Sequence, residues 1–77
     1  MTAKYIVRTE DVINDWGNTE ENDYGNYVDT LEEAKAIGNK IKTGGWVVNW
    51  LVVKTTMDEK TFTITKEKVY DYRKERG

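Results

Sequence analysis

One run in the chain is apolar on both of its alternating faces: Trp46-Val47-Val48-Asn49-Trp50-Leu51-Val52-Val53. Successive strand side chains point to opposite sides, so Trp46, Val48, Trp50 and Val52 share one face while Val47, Leu51 and Val53 share the other. The β-branched and aromatic content favours a strand, and two apolar faces predict a central one over about residues 46–55. Lys-Tyr-Ile-Val-Arg-Thr at residues 4–9 predicts a first strand. After a polar break at Met57-Asp58-Glu59-Lys60, Thr61-Phe62-Thr63-Ile64-Thr65 alternates cleanly, which predicts a hairpin with Phe62 and Ile64 inward. Val69-Tyr70-Asp71-Tyr72 reads as a last short strand, or as the same strand continued past a bulge. The tail at residues 73–77 has no apolar anchor and is expected to fray.

The 3.6-residue period occurs once. Leu31, Ala34, Ile37, Gly38 and Ile41 fall on one stripe and predict a helix over about residues 31–42, stopped by Gly44 or Gly45. Thr30-Leu31-Glu32-Glu33 has the form of a capping box, with the Thr30 hydroxyl accepting from the Glu33 amide and the Glu33 side chain returning to the Thr30 amide. A glycine inside the apolar stripe costs about 1 kcal/mol of helix propensity, so Gly38 predicts close approach to the sheet beneath a Trp. The resulting expectation is one small α+β domain over residues 1–77. A single helix would pack on one face of an antiparallel three- to four-stranded sheet, in the order β-loop-α-β-β.

The polar stretch from Glu10 to Asn26 is expected as a long loop. It contains an internal repeat, Asn14-Asp15-Trp16-Gly17-Asn18 and Asn22-Asp23-Tyr24-Gly25-Asn26. Gly supplies positive φ and Asn or Asp caps its own backbone, so each copy predicts a turn that displays an aromatic ring. One helix covers one sheet face only. The second face must then lie under this loop, through Trp16, Tyr24 and Tyr27, or stand open as an apolar patch suited to homodimerisation or docking.

Composition narrows the chemistry. There is no Cys, so disulfides and thiolate catalysis are excluded, and no His, which removes the commonest general base and metal ligand. No nucleophile–base pattern or Gly-rich phosphate loop is present, and the carboxylate spacing does not match an EF-hand. The expectation is therefore a non-enzymatic protein with no catalytic residues, cofactor or bound metal. No apolar stretch approaches the ~20 residues of a membrane span and no signal-peptide layout opens the chain, so the cytosol is the expected location.

Charge is what points to a partner. Residues 1–34 carry two cations against nine carboxylates, net −7, and residues 35–77 carry ten against five, net +5. No Lys or Arg lies between Arg8 and Lys35. An acidic, aromatic-bearing segment suits a basic groove on another protein, including one built for nucleic acid. That reading selects Asp15, Trp16, Glu20, Glu21, Asp23 and Tyr24. The alternative is a small nucleic-acid-binding protein, which selects Lys66, Lys68, Tyr70, Tyr72, Arg73 and Lys74, since cations interleaved with aromatics grip single strands.

The strand at Tyr5-Ile6-Val7-Arg8, the helix opened by Asp29-Thr30-Leu31-Glu32-Glu33-Ala34-Lys35 and the following hairpin resemble the layout of small proteins of phages and mobile elements, anti-CRISPR proteins among them. The resemblance covers most of the chain and implies an inhibitor that binds a host defence complex of the CRISPR-Cas type. It carries over no functional residues.

Overall fold

A computed structural model describes residues 2–76. The elements are β1 (Thr2–Val12), β2 (Thr19–Val28), α1 (Leu31–Gly38), β3 (Val47–Asp58), β4 (Thr63–Asp71) and α2 (Tyr72–Arg76). The strands form one four-stranded sheet in the order β2-β1-β3-β4, with every neighbouring pair antiparallel.

The expected α+β domain organised by a single packed helix is therefore corrected to a mostly β architecture. Strands of 11, 10, 12 and 9 residues outweigh helices of 8 and 5. Two mistaken expectations account for the difference. The polar stretch taken for a loop is a hairpin: β1 runs on to Val12, and β2 returns in one-to-one register from Val12↔Thr19 to Val7↔Tyr24. An edge strand needs only backbone pairing on one side, so every β2 side chain except Val28 is exposed and no apolar alternation marks it. The helix, in turn, ends at Gly38 and not near 42, with Asn39 as its C-cap.

β1 and β3 form the middle of the sheet. Val7, Trp50 and Val52 lie on the face toward α1 and form a core with Ala34, joined by Leu31, Ile37, Tyr70 and Tyr72 at its margin. Gly38 meets this core edge-on: a Cβ there would fall 2.3 Å from Trp50 Cε3 and Cζ3. The close approach beneath a Trp is therefore present, and it explains the glycine. Trp50 is 1% exposed and is flanked by Tyr70 and Tyr72, with ring centroids at 5.1 and 5.2 Å. Thr30 accepts from the Glu33 amide at 3.2 Å as expected, but its hydroxyl donates to the Glu33 carboxylate, so the return half of the capping box is absent.

On the opposite face Ile6, Leu51 and Val53 are buried. Arg8 pairs with Asp23 at 2.9 Å, and Lys68 on β4 reaches Glu21 on β2 at 3.8 Å. Three strand spacings separate those edges, about 14 Å in a flat sheet, so the contact requires a coiled sheet with long side chains laid across it. Arg8, Glu21, Lys66, Glu67 and Lys68 line one shallow depression together with Val53. Of the two arrangements foreseen, cover by the long loop is replaced by β2, whose Tyr24 projects on the α1 side, while Met57 and Ile64, paired across β3 and β4, leave exposed apolar surface on this face.

Asn49, 2% exposed, is the polar pin of the central strand. Its side-chain amide donates to Glu10 at 3.2 Å and to Asp71 at 2.9 Å, and its carbonyl accepts from the Arg73 amide at 3.0 Å. One side chain thus joins β1, β3 and the start of α2. Asp71 caps α2 by accepting from the Arg73 and Lys74 amides. Burial alone would raise the Asp71 carboxyl. The Asn49 hydrogen bond, the two backbone amides and the Lys74 charge outweigh burial and hold it below its usual value near 3.8. α2 takes in residues 73–76 of the stretch expected to fray, and Gly77 lies outside the described residues.

Candidate interaction surface

The two copies of the Asn-Asp-aromatic-Gly-Asn repeat have different fates. In the first, Asn14 Oδ1 accepts from the amides of Trp16 at 3.0 Å and Asn18 at 3.3 Å, Gly17 adopts φ +84°, and the Ile13 amide closes on the Asn18 carbonyl at 2.9 Å. This is the expected Asx-turn, and it forms the tip of the β1–β2 hairpin. The second copy lies within β2, where Gly25 at φ +76° serves a bulge between the Val7↔Tyr24 and Tyr5↔Val28 pairs. The same local sequence makes a turn where the chain must reverse and a bulge where β1 already supplies a pairing partner.

The hairpin tip holds Trp16 89% exposed. A second turn stands beside it. Gly44 and Gly45 both have positive φ, and the Gly44 amide donates to the Val47 carbonyl at 2.8 Å. Trp46 therefore sits in a turn ahead of β3, 69% exposed, and not on the core face of the central strand as its alternation suggested. The two turns are tied together by the Val12 amide donating to the Trp46 carbonyl at 2.7 Å. Between them lies an open concavity of about 380 Å³ lined by Val12, Asn14, Asp15, Gly17, Gly45 and Trp46. Ile13 is exposed as well. Two indoles, an isoleucine and a carboxylate thus share one end of a molecule 45 Å long.

The six acidic and aromatic residues selected from sequence are divided by the strand geometry. Asp15 and Trp16 are at the tip. Glu20 and Tyr24 project from β2 on the α1 side, while Glu21 and Asp23 project on the other and pair with Lys68 and Arg8. Trp46 and Ile13 escaped the sequence reading. The signal was the Gly44-Gly45 pair, which detaches Trp46 from the strand it seems to begin.

The basic set is divided too. Tyr70 and Tyr72 are half-buried against Trp50, and Lys35 Nζ lies 4.7 Å from the Tyr70 ring centroid, so these rings do not present open faces for bases to stack on. Lys68 is engaged by Glu21, while Lys66, Arg73 and Lys74 are exposed. At the far end Phe62 and Ile64 are exposed and not inward. Phe62 precedes β4 in a left-handed conformation at φ +56°, and the β3–β4 arm runs past the core there. Among the described residues no group of acidic side chains is arranged to hold a metal ion, and no helix is long and apolar enough to cross a membrane. No protein-family model, curated protein or solved structure matches the chain.

Proposed function

We propose that this chain is a non-enzymatic protein-binding module that engages its partner with the end carrying Trp16 and Trp46. The observation that carries the reading is the presentation of Trp16. A large indole stands almost wholly in water on a turn fixed by four hydrogen bonds, beside a second exposed indole and a concavity. Burying such rings on a partner supplies affinity, and their pre-organisation lowers the ordering cost of binding. Asp15, Glu20 and the neighbouring carboxylates add a negative field that steers a basic partner surface toward this end. The layout resemblance supports placing that partner in a host defence complex of the CRISPR-Cas type, with the chain acting as an inhibitor supplied by a phage or mobile element.

The test is affinity capture from bacterial host lysate with and without nuclease, using wild type and the Trp16→Ala/Trp46→Ala double variant. A defined protein assembly that survives nuclease and is lost with the double variant is expected. Recovery of nucleic acid alone, released by salt, would refute the reading, as would an assembly retained undiminished by the double variant.

A further inference from the structure

Both edges of the sheet are open, and they carry opposite charge. On β2, residues 19–24 are exposed on both faces and include Glu20, Glu21 and Asp23. On β4, residues 63–68 are likewise exposed on both faces and include Lys66 and Lys68. Each strand pairs on one side only, which leaves alternate amides and carbonyls directed outward. Charge usually blunts such edges, but here it does so selectively. Pairing β2 with a second β2 would set carboxylates against carboxylates, and pairing β4 with β4 would oppose lysines. Pairing β4 with β2 meets no such obstacle.

We propose that the chain associates head to tail with further copies of itself, β4 of one protomer adding to β2 of its partner. The strand sense fits. Within one sheet β2 and β4 run antiparallel to each other, because three successive antiparallel pairings separate them. A copy translated along the sheet therefore offers its β2 antiparallel to β4, continuing the ladder. One register satisfies both faces at once. Lys68 stands opposite the partner's Glu21 and Lys66 opposite the partner's Asp23, while on the other face Thr65 meets the partner's Tyr24 and Glu67 the partner's Asn22. The first three are opposite-charge and aromatic–β-branched pairs of the kind that stabilise sheets, and the fourth sets no like charges against each other. Within one protomer Lys68 reaches Glu21 only at 3.8 Å between exposed side chains, so the association exchanges a loose contact for a directly opposed one. The Gly25 bulge ends the paired segment at Tyr24. Each copy retains one free edge of each kind, so the contact is heterologous and builds a head-to-tail series, not a two-fold dimer. This inference is independent of the partner proposed for the Trp16 end.

Sedimentation at low ionic strength tests it, with the full chain, the β2 reversal Glu21→Lys/Asp23→Lys and the β4 reversal Lys66→Glu/Lys68→Glu. Circular dichroism checks that each folds. Wild type is expected to gain mass continuously with concentration and to lose it as salt rises. Each reversal alone should weaken association about tenfold or more, and mixing the two reversals should restore it. A wild type that stays monomeric up to millimolar concentration would overturn the proposal. So would association that both reversals leave unchanged, or a mixture no more associated than its components.

Discussion

Replacing Gly38 by Ala inverts the usual sign of a helix substitution. An exposed helical Gly→Ala change gains about 1 kcal/mol from propensity. Here the new methyl would lie 2.3 Å from Cε3 and Cζ3 of Trp50 and 2.6 Å from Cη2, against an ordinary carbon–carbon contact of about 3.5–4.0 Å. Something must move by more than about 1 Å. Trp50 cannot turn away easily, because it is 1% exposed and confined by Tyr70 and Tyr72. Overpacking of this kind costs about 1–3 kcal/mol, and this overlap belongs at the upper end of that range, so it exceeds the propensity gain. A net loss of about 1–2 kcal/mol is a sizeable share of the roughly 4–11 kcal/mol typical of a 77-residue domain. The assay is thermal and urea unfolding of wild type, Gly38→Ala, Trp50→Leu and the double variant. Gly38→Ala should lower Tm by about 4–8 °C per kcal/mol lost, and it should cost less in the Trp50→Leu background, where the ring is gone. If Gly38→Ala proved neutral or stabilising, the helix would not rest on Trp50 and the core described here would be wrong.

Two further outcomes follow from the core and the α2 cap. Leu51→Ala should destabilise by about 2–5 kcal/mol in urea melts, whereas Lys74→Ala should stay within about 0.5 kcal/mol, and equal effects would remove β3 from the centre of the sheet. Asp71 has a folded-state pKa held below its usual value, so its contribution is fully present above about pH 5 and is lost as pH falls through the folded value. The gap in urea midpoint between wild type and Asp71→Asn should accordingly shrink on acidification, and a gap constant from neutral pH down to about pH 2 would contradict the Asn49–Asp71 network.

The parts of this fold legible from sequence are those where burial constrains residue type. The two-faced run at Val47–Val53, the Thr30 cap and the glycine beneath Trp50 all carry such constraints, and so does the Asx-turn at Asn14, where positive φ selects Gly17. β2 was not legible, because a strand exposed on both faces leaves its composition free to look like a loop. Exposed apolar residues misled in the other direction. Trp46 and Phe62 continue an alternation, yet each falls one residue outside a strand, in a turn with left-handed backbone at or beside it. The Lys68–Glu21 contact was equally hidden, since it crosses a sheet whose strand order the sequence does not display. At the candidate surface, Asp15 and Trp16 could be read from the first repeat. Trp46 could be found only through the Gly44-Gly45 turn that sets it apart.

The presentation of Trp16, the Arg8–Asp23 pair and the open β2 edge all depend on the acidic segment being a strand paired to β1. Cross-strand nuclear Overhauser effects in the isolated protein measure that pairing directly. Contacts are expected between β1 and β2 residues directly opposite in the ladder, at Val7 with Tyr24, Arg8 with Asp23, Thr9 with Asn22, Glu10 with Glu21 and Asp11 with Glu20, with extended-strand chemical shifts through residues 19–24. Random-coil shifts over 19–24 and no contact from that segment to β1 would contradict the account.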